Sequence, residues 1–278
     1  MPDNPRAGRG PSEETHAQAR HRTARSTALL ATALPAQAVT DGSLDEDAHP
    51  YVGIMVAFVD GDPAWRCTGA LLSPTLFLTA GHCTDGAESA QVWFDADVSD
   101  REASGYPFTG DVSGVPFTHP DYDPDNFSLR DLGVVVLDEP VELDSYAELP
   151  ELGALDELKP GRKSRFTSVG YGMQEAYPEA AARKDVSELV RMVAHPQLLQ
   201  INRGIIGDYA LLLSNNANTG GTCFGDSGGP NFIGDSNVLA GVTSFGMNAT
   251  CAGTGGVFRV DTAYAQDWLY DEFGDHLS

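Results

Sequence analysis

The stretch Thr222-Cys223-Phe224-Gly225-Asp226-Ser227-Gly228-Gly229-Pro230 sets a serine among three glycines and an aspartate. Glycine is costly inside a helix or strand, so such a run marks backbone that takes unusual angles or comes close to another group. A serine that attacks a carbonyl needs both. Its hydroxyl must stand clear, and backbone N–H groups must point at the oxyanion formed in acyl transfer. A glycine-rich surface turn would have the same composition, so the stretch gains meaning only with partners. The chemistry requires a base for the hydroxyl proton and a carboxylate to orient that base. Leu78-Thr79-Ala80-Gly81-His82-Cys83 offers a histidine, and Asp131-Leu132-Gly133-Val134-Val135-Val136-Leu137 offers an aspartate at the entrance of an apolar run. Taken singly, that histidine reads as a structural residue and that aspartate as a solvated strand end.

Strands must position these groups. Tyr51 to Val59 is an apolar run closed by Asp60-Gly61-Asp62-Pro63, and short runs follow at 70–72, 76–78, 90–94 and 132–137. Polar turns separate them, which predicts an all-β barrel or sandwich. Residues 140–163 are rich in Pro, Glu, Asp and Leu without a clear strand and are expected to link two halves. Strand texture resumes at 165–171, 209–213, 238–245 and 256–260, and apolar spacing over 261–273 predicts a closing helix. Residues 1–38 are set apart from the fold. A basic region, a short apolar run and Ala36-Gln37-Ala38 follow the order of a secretory leader, and an activation propeptide is the other reading.

Composition narrows the function. Among 278 residues, 40 acidic side chains face 17 basic ones, for a formal net charge of −23. A nucleic-acid partner, which requires clustered Lys and Arg, is not expected. Lysine occurs only at Lys159, Lys163 and Lys184, a balance suited either to high salt or to plain solubility. No apolar run reaches the roughly 18 residues needed to span a bilayer. The four cysteines, Cys67, Cys83, Cys223 and Cys251, allow three pairings. With no Cys-x-x-Cys pair, two disulfides fit better than a zinc site.

The segment from Cys223 to Pro230 resembles the nucleophile loop of the trypsin/chymotrypsin-like serine proteases, and Thr79-Ala80-Gly81-His82-Cys83 resembles their histidine motif. The resemblance covers roughly residues 39–270 and is that of a bacterial or archaeal secreted member. It implies two six-stranded antiparallel β-barrels, over residues 39–150 and 151–278, with a C-terminal helix. Ser227 is then the nucleophile, His82 its base and Asp131 the carboxylate behind the imidazole, with the N–H groups of Gly225 and Ser227 forming the oxyanion hole. The implied disulfides are Cys67–Cys83 and Cys223–Cys251. Ser244-Phe245-Gly246 resembles the segment that pairs with substrate backbone, with Phe where Trp is usual. Gly221 and Thr222 fall at the base of the primary pocket and Gly246 and Gly256 on its walls. This open, uncharged set is expected to favour large apolar side chains over basic ones. Val39 resembles the family's new N-terminus, whose amine would pair with Asp226 after cleavage.

The expected partners are protein or peptide substrates and protein inhibitors, acting on a secreted monomer that needs no cofactor or metal and no membrane once the leader is gone. Two rivals share some of these residues. Gly225-x-Ser227-x-Gly229 also fits the elbow of α/β-hydrolases, but His276 is the only histidine after the serine. A protease-like binding protein that has lost activity would show a substituted triad member, and none is substituted. The acidic loops 95–100 and 121–125 match no calcium loop and are expected to be solvated surface.

Overall fold

The computed structural model describes residues 39–202 and 204–277. The predicted leader, residues 1–38, lies outside the described residues. β1 (Ser43–Leu44) precedes a closed barrel of β2 (Val52–Val59), β3 (Asp62–Leu71), β4 (Leu76–Thr79), β5 (Ser89–Trp93), β6 (Val112–Thr118) and β7 (Gly133–Leu137). Its strands run in the order β2-β3-β4-β7-β6-β5, all antiparallel. Closure leaves no open edge to manage.

The second barrel holds β8 (Gly161–Gly170), β9 (Met192–Ala194), β10 (Gln197–Ile201), β11 (Ala210–Asn215), β12 (Pro230–Ile233), β13 (Leu239–Gly246) and β14 (Gly253–Arg259). β9 and β10 follow each other along one edge of β8, interrupted at His195-Pro196, because proline cannot donate to the ladder. The ring β8-β10-β11-β14-β13-β12 closes where Asn231, Phe232 and Ile233 pair with Ser168, Thr167 and Phe166. Both halves are therefore six-stranded antiparallel barrels. β1 pairs with β9, so the N-terminal segment joins the second sheet although it precedes the first barrel in sequence.

One core cluster runs through both barrels and includes Tyr51, Ile54 and Trp93 together with Val169, Tyr171 and Phe232. Arg191, 1% exposed, pins the N-terminal segment to this junction. Its guanidinium donates to Asp45 Oδ2 at 2.9 Å, to the Glu46 and Phe94 carbonyls at 2.8 Å and to the Val52 carbonyl at 3.1 Å. A buried cation is tolerated only when its donors are met in this way.

The expected link at 140–163 contains no strand until β8 begins at Gly161, but it is anchored along its length. Ala147 and Leu155 are buried, Leu155 N–H donates to Asp261 Oδ2 at 2.8 Å, and Gln266 Nε2 donates to the Pro150 carbonyl at 2.7 Å. Gln266 belongs to α3 (Ala263–Phe273), the C-terminal helix, whose Thr262 caps the first turn by accepting from Ala265 N–H.

Candidate active site

His82 and Asp131 stand at strand ends, and Ser227 lies in the loop before β12. β4 runs into α1 (Gly81–Thr84), one helical turn carrying His82. The disulfide Cys67–Cys83, with Cα atoms 6.1 Å apart, ties that turn to β3. In the chain-entropy account a loop of this length contributes about 3 kcal/mol. Asp131 immediately precedes Leu132 and β7, which pairs with β4, so the histidine and the carboxylate come together through one strand pair.

Asp131 is fully buried and accepts three hydrogen bonds. His82 N–H donates to Oδ1 at 2.8 Å, His82 Nδ1 lies 2.8 Å from Oδ2, and Ser244 Oγ donates to Oδ2 at 2.6 Å. A carboxylate can only accept, so the Nδ1 proton is held on the Asp131 side and Nε2 is left as the basic nitrogen.

The loop carrying Ser227 is clamped from two strands. Thr68 N–H on β3 donates to the Ser227 carbonyl at 2.8 Å, and Thr68 Oγ1 donates to the Gly225 carbonyl at 2.8 Å. From β13, the Thr243 carbonyl accepts from Gly228 N–H at 2.7 Å. Gly225 and Gly228 have φ of +100° and +78°, where side chains are strained. A Cβ on Gly228 would also collide with Thr79 Oγ1 and sit 2.8 Å from Ala80 N, two residues from His82. This close approach brings the loop at Gly228 against the residues that lead into the histidine turn. The N–H groups of Gly225 and Ser227 have no protein acceptor among the described residues.

Beside Ser227 a cavity of about 250 Å³ is lined by Thr222, Phe224, Thr243, Ser244, Phe245, Gly246 and the Cys223–Cys251 disulfide. No charged side chain lines it. The nearest atom to a Cβ placed on Gly246 is the Asn248 carbonyl oxygen, 3.7 Å away, so this wall is open. Gly221 and Gly256 are not on the lining. Gly221 packs against the Asn215 side chain, and the ring of Phe245 covers Gly256.

Asp226 is fully buried beneath the loop. Its carboxylate accepts from Gly172 N–H and Cys223 N–H, each at 2.8 Å. Burial nevertheless pushes its pKa up to about 7, against the weaker opposing pulls of those hydrogen bonds and of the Arg66 charge, and no cation comes within ion-pair distance of it among the described residues. Val39 is also fully buried, against Val190, Met192 and Ala194. The next residue, Thr40, accepts from Gly221 N–H at 3.0 Å and donates to Asn215 Oδ1 at 2.6 Å.

Other candidates resolve locally. Cys67, His82 and Cys83 cluster as metal ligands would, but the two sulfurs are bonded to each other. Within the acidic loops, Asp100 caps α2 (Arg101–Ser104) and Asp123 accepts from Asp125 N–H and Asn126 Nδ2. His276 Nδ1 lies 2.9 Å from Thr75 Oγ1 on the first barrel. The Asp131 contact of Ser244 and the double hold of Thr68 were not foreseen. The latter sits in an ordinary Cys-Thr-Gly-Ala run with no signal of its own.

The sequence model of the family described as Trypsin matches residues 44–269. Chymotrypsin of Phaedon cochleariae is 29% identical over 233 residues, covering 79% of this chain and 76% of its own. Brachyurin of Leptuca pugilator is 31% identical over 220 residues, covering 77% and 90%. Trypsin of Saccharopolyspora erythraea is 30% identical over 223 residues, covering 78% and 89%. Among solved structures, HL collagenase superposes with a TM-score of 0.67 at 22% identity, covering 85% of this chain and 99% of that one. Human heparin binding protein gives 0.65 at 19% identity, covering 85% and 97%.

Proposed function

The chain belongs to the trypsin family of serine proteases, and from that premise we propose a secreted endopeptidase that cleaves after large apolar residues through an acyl-enzyme on Ser227. The observation that carries the reading is the Asp131 carboxylate, which meets both the backbone and the ring of His82 and, by holding the Nδ1 proton, makes Nε2 the basic nitrogen.

Ser227 Oγ attacks the scissile carbonyl while His82 Nε2 takes its proton. Asp131 keeps the Nδ1 proton in place and stabilises the imidazolium. The negative charge on the carbonyl oxygen falls to the N–H groups of Gly225 and Ser227, where one donor is typically worth about 3 kcal/mol. His82 then protonates the leaving amine, and water releases the acyl group by the same route in reverse.

Specificity follows from the cavity. A substrate guanidinium or ammonium would meet Thr222, Phe224 and a disulfide with no carboxylate to offset its lost hydration. An aromatic or leucyl side chain loses nothing by entering. In a peptide-library digest, bonds after Phe, Tyr or Leu are expected to be cut roughly a hundredfold faster than bonds after Arg, the scale of a side chain matched to its pocket. Preferential cleavage after Arg would overturn the assignment.

Activation has separate support. Val39 has φ +55°, unfavourable for a β-branched residue and worth about 1–3 kcal/mol of strain. A chain beginning at Val39 has no φ there, so cleavage after Ala38 would relieve the strain and create an ammonium. That ammonium would pair with Asp226 and settle the loop carrying Gly225 and Ser227. Secretion is supported by two disulfides and by the leader-like order of residues 1–38. The proposed partners are protein or peptide substrates and protein inhibitors of a monomer.

A further inference from the structure

The nucleophile loop divides the substrate path into two sides. On the β13 side lies the apolar cavity, bounded by Ser244, Phe245 and Gly246, which receives the acyl half. On the other side lies β3, whose Thr68 holds the carbonyls of Ser227 and Gly225. A peptide bound across Ser227 therefore leaves over β3. Two residues before Thr68, and so on the same face of that strand, stands Arg66.

The placement of Arg66 is unusual in three respects. Its Nε lies 3.1 Å from the point where a side chain on Gly225 would begin, so the guanidinium rests against the oxyanion loop. Its Nη2 donates to Ser187 Oγ at 2.6 Å, a neutral partner that fixes the group without neutralising it. Its charge is felt by the buried Asp226 carboxylate beneath the loop, but among the described residues no carboxylate comes within ion-pair distance of it, although the chain carries 40 acidic side chains. A guanidinium has five N–H donors in a planar fork shaped to a carboxylate, and the Ser187 bond uses one of them.

The geometry points to Arg66 as the residue that selects substrates with an acidic side chain, Asp or Glu, just after the scissile bond. The inference rests on the acyl-transfer reading of Ser227. A carboxylate there meets the unused donors of Arg66, whereas a lysine or arginine meets a like charge. Asn or Gln would gain a weaker, neutral hydrogen bond.

The test compares internally quenched peptides with the same apolar residue before the cut and Glu, Gln or Lys in the two positions after it. The processed enzyme is expected to show kcat/KM for Glu over Lys of roughly tenfold, a partly exposed charge contact being weaker than a buried one. The ratio should fall toward unity in about 1 M salt, where screening acts within a few ångströms. Arg66→Glu should invert the preference, and Arg66→Lys should keep its sign. A ratio near one in the parent enzyme, or one that Arg66→Glu leaves unchanged, would overturn the inference. An equal loss on all three peptides in Arg66→Glu would overturn it too, by showing that the charge acts on the oxyanion. Hydrolysis of a phenylalanine ester, which has no leaving-side peptide, is read alongside. A parent enzyme that cleaves the ester but shows no ratio refutes the role of Arg66, whereas one inert toward both refutes the reading of Ser227.

Discussion

Asp131→Asn is expected to lower kcat by about four orders of magnitude with little change in KM. The carboxylate accepts from His82 N–H, from His82 Nδ1 and from Ser244 Oγ, and it is fully buried. An amide keeps the shape but replaces one acceptor with a donor. If Nδ2 faces the ring, Nδ1 must become the acceptor and the proton moves to Nε2, the atom proposed to receive the Ser227 proton. If Nδ2 faces away, it displaces the His82 backbone N–H and tilts the turn. In either arrangement the loss falls on the chemical step, because Asp131 does not line the cavity. Ser244→Ala removes one of the three bonds and leaves the tautomer intact, so a loss of about tenfold is expected. Steady-state kinetics on one peptide would separate the two, and similar effects from both would contradict the assigned roles.

Asp226→Asn should act in opposite directions before and after processing. In the uncleaved chain the folded-state pKa stands near 7, above the ordinary carboxylate value, because burial disfavours the charge. The neutral acid therefore favours the fold, and this stability is fully present below about pH 4. It is lost as pH rises through about 7. Thermal unfolding of the uncleaved protein should show a midpoint that falls between pH 4 and pH 8, and Asp226→Asn should flatten that fall. After cleavage, the Val39 ammonium would hold the carboxylate charged, and removing one member of a buried pair typically costs 3–5 kcal/mol. The processed Asp226→Asn enzyme should then lose activity by at least a hundredfold. Equal pH slopes in the parent and Asp226→Asn uncleaved chains would refute the titration, and a fully active processed variant would refute the pairing.

The parts of the site legible in the sequence were those written in contiguous residues. Glycines around Ser227 announce positive φ and close approach, and Gly225 and Gly228 show both. The Thr79-to-Cys83 run fixes a histidine beside a cysteine, so its bridge to Cys67 follows from the resemblance. What stayed hidden depends on pairing between distant residues. The closing contact of β12 with β8 joins residues more than 60 positions apart. Ser244 reaches Asp131 across 113 positions. The resemblance puts Gly256 on an open pocket wall, but the space beside it is filled by Phe245 of the paired strand. The 140–163 segment read as a plain linker because Ala147 and Leu155 anchor it at irregular spacing that matches no period.

The most direct measurement is reaction of the processed protein with a fluorophosphonate probe, followed by peptide mass mapping of the adduct. One adduct per chain on Ser227 is expected, absent in Ser227→Ala and slowed by orders of magnitude in His82→Ala. A processed, folded protein that stays unlabelled, or an adduct on another serine, would contradict the account.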